Sequence, residues 1–126
     1  MPVLFRTMQA DADGLPRVGA TFRTLGARPG RDLPVEPSGH VRPDTGGMSV
    51  TANDPKALPK PVRPRSLGGE SRDTLFSVQS GDLPADVALR DDPPGGAHLL
   101  VEPVARMFFE AYQGAIHGTR PKWSKA

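Results

Sequence analysis

The sequence predicts an α+β fold: short strands joined by long proline- and glycine-rich loops, with one amphipathic helix near the end. Three observations predict it. Several short segments alternate apolar and polar residues, the period of a half-buried strand. Fifteen prolines and 14 glycines among 126 residues stand just under the roughly 25–30% at which a chain without a repeat reads as disordered. One later stretch carries an apolar stripe at helical spacing. The length suits a single small domain, 1–126, with 119–126 as a basic tail.

The elements follow in order. Pro2 to Met8 reads as a strand in which Leu4, Arg6 and Met8 share one face. Arg6 then sits among apolar neighbours, where a guanidinium must be paired, hydrated or bound to an anion. Residues 10–43 are broken by ten prolines and glycines. Only Val18 to Leu25 suggests a short helix or strand there, and so long a loop is expected to be a functional lid or a disordered segment. Asp44-Thr45-Gly46-Gly47 is a tight turn, because Gly and Asp tolerate unusual backbone angles. Met48 to Ala52 follows as a strand, and 55–73 as a second loop.

Thr74 to Gln79 alternates as a strand, and Val87 to Arg90 is a weaker one. In His98 to Glu102 the residues His98, Leu100 and Glu102 share a face. A helix is expected to start after Pro103, with Val104, Met107, Phe108, Ala111, Tyr112 and Ala115 as its core stripe and Gly118 as its stop. Trp123 in the basic tail is expected to dock on the core.

Several chemistries are excluded. Without cysteine there is no disulfide or thiol chemistry. His40, His98 and His117 are too scattered for a zinc site. Gly68-Gly69 is followed by Glu70-Ser71 rather than the Lys-Ser/Thr of a phosphate-binding loop. No segment has the apolar length to span a membrane, and the first residues lack a secretory signal, so export would require a dedicated machine. The charge is only +2, and Lys56, Lys60, Arg63, Arg65 and Arg72 are spread along a loop. That spacing reads as a solvated surface, and a basic nucleic-acid-binding domain is the weakest alternative.

The residues left for chemistry are Arg6, the Gly46-Gly47-Met48-Ser49 turn and strand start, His98 and Glu102. An Arg can hold a pyrophosphate, a Ser can orient a ligand, and a carboxylate can stabilise positive charge at an anomeric carbon. Each also has a structural alternative: a strand-end hydroxyl, a His on a loop carbonyl, a helix-capping carboxylate.

The chain resembles small bacterial toxins with an ADP-ribosyltransferase-like fold, a family that includes a type VI secretion effector and related bacterial and fungal toxin domains. The segments that carry the resemblance run in order along the chain. They are Leu4-Phe5-Arg6, Thr24-Leu25-Gly26-Ala27-Arg28 with Asp32, and Pro43-Asp44-Thr45-Gly46-Gly47-Met48-Ser49-Val50. Then come Leu58-Pro59, Leu67-Gly68-Gly69, Leu83-Pro84, His98-Leu99-Leu100-Val101-Glu102-Pro103 and Met107-Phe108-Phe109-Glu110, leading to Trp123.

The resemblance implies a small split β-sheet of the ADP-ribosyltransferase type and NAD as cofactor. It implies cofactor binding by Arg6, Gly46, Gly47, Met48 and Ser49. Catalysis would fall to Ser49 with either His98 or Glu102. It further implies a toxin that acts on a macromolecular target in the cytoplasm of a target cell, neutralised by an immunity protein over the cleft. The alternative on the same fold is a non-catalytic binding module.

Overall fold

Alternation along Val3–Met8 (β1) buries Leu4, Arg6 and Met8 on one face, as computed in a structural model that describes residues 2–126. The remaining elements are His40–Val41 (β2), Met48–Ala52 (β3), Thr74–Gln79 (β4), Val87–Asp91 (β5), His98–Pro103 (β6), Met107–Phe108 (β7), the helix Phe109–His117 (α1) and Ser124–Lys125 (β8). Six strands form one sheet in the order β5-β6-β3-β1-β4-β8, and β2 pairs with β7 apart from it. All strand pairings are antiparallel. This is the expected α+β class.

The register contains one discontinuity. β1 pairs with β4 at six positions, and β3 with β6 at four. Yet β1 and β3, neighbours at the centre of the sheet, pair only at Leu4↔Ala52 and Phe5↔Thr51. Beyond those two positions the strands part. The sheet is therefore two three-stranded halves, β5-β6-β3 and β1-β4-β8, hinged on one short seam.

Packing explains which faces are covered. Leu4 and Met8 join Met48 and Val50 of β3, Phe76 and Val78 of β4, and Leu99 and Val101 of β6 in one core cluster. Leu25, Leu33, Tyr112, Ile116 and Trp123 belong to the same cluster. Trp123 is docked as expected, with its indole N–H donated to Thr119 Oγ1 at 2.9 Å. The tail then adds β8 to the edge of β4. An indole and a strand edge thus hold down the basic tail.

Two sequence expectations are corrected. The helix starts at Phe109, not after Pro103. Val104 to Arg106 bend, and Met107–Phe108 form β7 because Val41 and His40 of β2 are in register to pair with them. Val104 and Phe108 are half exposed and Ala111 is exposed, so the apolar periodicity crosses a strand and a turn before reaching the helix. The helix buries Tyr112, Gln113 and Ile116 instead. Val18 to Leu25 likewise forms neither helix nor strand, only an isolated bridge between its ends. Its middle is drawn into the site described next.

Candidate functional site

The Arg6 guanidinium fills the place where the β1–β3 ladder stops. Its Nη1 donates to the Ser49 carbonyl at 2.9 Å, a group left without a β1 partner by the parting of the strands. Nε and Nη2 donate to the Thr24 carbonyl at 3.2 and 2.9 Å. Nη2 also reaches the carbonyls of Thr21 and Gly26 at 3.3 and 3.5 Å. One buried cation thus fastens the first loop and β3 to β1. Burial lowers its pKa to about 10, Asp32 favours its charge and Arg28 opposes it, so Arg6 is cationic at neutral pH.

At the parting lies a cavity of about 270 Å³. Arg6 and Thr7 line it from β1, and Ser49, Val50 and Thr51 from β3. His98 closes it from β6. The first loop contributes Phe22, Arg28 and Asp32, and the second loop Leu58, Pro59, Pro61 and Val62. Thr7 Oγ1 donates to the Val62 carbonyl at 2.6 Å and ties the second loop to β1. Both long loops are therefore ordered walls of one cavity.

Three of the residues singled out in the sequence meet here: Arg6, Ser49 and His98. Ser49 Oγ makes no hydrogen bond within the described residues and is free for a ligand. His98 Nδ1 lies 2.8 Å from the Asp92 carbonyl. A carbonyl only accepts, so Nδ1 carries a proton, and in the neutral ring Nε2 is left as an acceptor.

The other candidates lie elsewhere. Glu102 is on the same strand as His98 but four residues on, about 13 Å at ~3.3 Å per residue. It is buried, accepts from the Asp44 N–H at 3.0 Å and from Arg90 Nε at 3.0 Å, and does not line the cavity. Its contacts fasten the turn before β3 to the β5-β6 hairpin.

Gly46, Gly47 and Met48 are buried outside the cavity. A Cβ on Gly46 would lie 2.0 Å from the Asp32 carbonyl oxygen, and one on Gly47 2.3 Å from that of Val101. The two glycines let this turn press against protein backbone, and Gly47 N–H donates to the Asp32 carbonyl at 2.9 Å. Met48 is in the core, its N–H donated to the Tyr112 hydroxyl at 3.1 Å. That hydroxyl donates in turn to the Val101 carbonyl, and burial holds its pKa above the usual phenol range.

Sequence reasoning missed Phe22 and Thr51 as cavity residues, and gave Arg28 and Asp32 no task. Phe22 is 52% exposed on the cavity wall. Arg28 donates from Nε and Nη2 to Asp32 Oδ1 at 3.1 and 2.9 Å, while its own N–H donates to Oδ2 at 2.7 Å. The i,i+4 spacing of a cation and a carboxylate was the available signal, hidden in a stretch with no helix to give that spacing meaning.

Compared with family models, curated proteins and solved structures, the chain matches none.

Proposed function

We propose that the protein is an NAD-dependent ADP-ribosyltransferase-like toxin whose cofactor enters the cavity between the parted strands. One observation carries the reading. The central strands separate after two residue pairs, and the gap gathers a cation, an unpartnered serine hydroxyl and a histidine acceptor. The motifs of the resemblance, Leu4-Phe5-Arg6 and Gly46-Gly47-Met48-Ser49-Val50, flank that gap.

The residues present suit one end of a dinucleotide. At about 270 Å³ the cavity lies just below the roughly 300–1,000 Å³ of small-molecule sites, so it takes a nicotinamide riboside portion with the rest lying toward Arg28. NAD supplies a glycosidic bond whose cleavage releases neutral nicotinamide with the bonding pair and opens the ribose C1′ to an acceptor group. In the chain, Ser49 Oγ orients the ligand. His98 Nε2 takes the proton that the acceptor group loses. Arg6 holds the β3 backbone in place. Asp32 is the carboxylate within the cavity, whereas Glu102 keeps the Asp44 turn on the hairpin. The target is a macromolecule in the cytoplasm of the recipient cell, and an immunity protein neutralises the toxin by covering the cleft.

Expression in bacteria, with growth and intracellular NAD followed together, tests this. Wild type is expected to arrest growth, while Ser49→Ala and His98→Ala relieve it by at least about tenfold. A harmless wild type that leaves NAD intact contradicts the reading.

A second reading, a binding module without catalysis, is favoured by a different observation. Arg6 and Glu102 are both committed to partners within the protein. NAD binding with neither nicotinamide release nor an ADP-ribosylated product is its signature.

A further inference from the structure

The two arginines of the cavity differ in what they have left to offer. Arg6 is buried and donates to four different backbone carbonyls. Arg28 lines the same cavity with a third of its side chain exposed. Its Nε and Nη2 converge on one oxygen of Asp32, and Nη1 makes no hydrogen bond within the described residues. The lining holds two guanidiniums against the single carboxylate of Asp32. Asp32 favours the charge of Arg6 and Arg28 opposes it; with two guanidiniums and one carboxylate the lining keeps one positive charge for an anion to neutralise.

Asp32 is itself well placed to position this arginine. Its Oδ2 is held by the Arg28 N–H, and its carbonyl by the Gly47 N–H. The Arg28 fork is therefore anchored from behind on a turn fastened to the start of β3, with the Nη1 edge left over. An anchored planar guanidinium with free N–H groups is the geometry that binds phosphate oxygens.

We infer that Arg28, rather than Arg6, holds the phosphate groups of a nucleotide in this cavity, while Arg6 is part of the frame. The inference rests on the NAD reading and assigns the anionic half of that ligand.

Calorimetric titration of the full chain with NAD, ADP and nicotinamide riboside tests it, using wild type, Arg28→Gln, Arg28→Lys and Asp32→Asn. Arg28→Gln is expected to weaken NAD and ADP by about 10–100-fold, the worth of a charge-assisted contact, and to leave nicotinamide riboside unchanged. Arg28→Lys recovers part of that loss. Asp32→Asn is expected to weaken NAD and ADP by less than Arg28→Gln and to leave nicotinamide riboside unchanged, because it loosens the anchor of Arg28 while removing a competing carboxylate. If Arg28 merely staples its loop, Arg28→Gln and Asp32→Asn lose all three ligands alike, and the inference falls. NAD binding that is unchanged in Arg28→Gln overturns the inference alone. A wild type that binds none of the three overturns the NAD reading and the inference with it.

Discussion

Arg6 shows how a residue can be indispensable to a site without being its chemical agent. Nη1 takes up the Ser49 carbonyl that the sheet leaves unpaired at the cavity, Nε and Nη2 hold the first loop, and only Nη1 keeps a hydrogen to spare. Arg6→Met is therefore expected to leave the Thr24 and Ser49 carbonyls unpaired in a buried setting. The cost is about 3 kcal/mol or more, on the order of 10 °C in melting temperature. Thermal unfolding followed by circular dichroism checks this, and an unshifted transition would show that the carbonyls find water. Loss of activity in this variant says nothing about ligand contact, so Ser49 and His98 are the informative positions. The sequence did reveal that a cation on the apolar face of the first strand needed partners. Their identity was hidden, because the carbonyls that satisfy it lie 15 to 43 residues away, and every residue type offers a carbonyl.

At the scale of elements, alternation located five of the strands that matter, β1 and β3 to β6, within a residue or two at each end. Period-2 burial is a local property, readable wherever one face is covered. The helix was legible only in its second half. An apolar residue on a two-stranded ribbon, such as Phe108 stacked on His40 at 4.1 Å between ring centres, is indistinguishable in sequence from one on a helix face. The turn before β3 was legible from its glycines, whose tolerance of unusual backbone angles and close approach the sequence shows. Gly46, at φ +147°, and Gly47 make room for the Asp32 and Val101 carbonyls rather than for a ligand. Gly47→Ala is expected to push β3 away from β6 and destabilise the fold by about 2–3 kcal/mol. Urea unfolding measures it; wild-type stability in that variant would mean the turn does not rely on this close approach.

In the whole molecule, more than half the described residues are loop, and ion pairs cross-link the loops. Arg23 pairs with Asp73, Arg120 with Asp11 and Asp13, and Arg42 and Arg106 with Glu36. Exposed pairs of this kind are individually worth little. The buried hydrogen bonds of Arg6 and Thr7 do more to bring both loops over the parted strands. From its length alone the first loop was expected to be a functional lid or a disordered segment, and both loops in fact line the cavity. No local pattern announces that, since the walls are prolines, a valine and a phenylalanine that would pass for ordinary loop residues. NAD is proposed to bind in this gap between β1 and β3. Titration of isotope-labelled protein with NAD, read by amide shifts, tests it most directly. Saturable shifts are expected, concentrated at Phe22, Arg28 to Asp32, Ser49 to Thr51 and His98. An unchanged spectrum, or shifts confined to another surface, would contradict it.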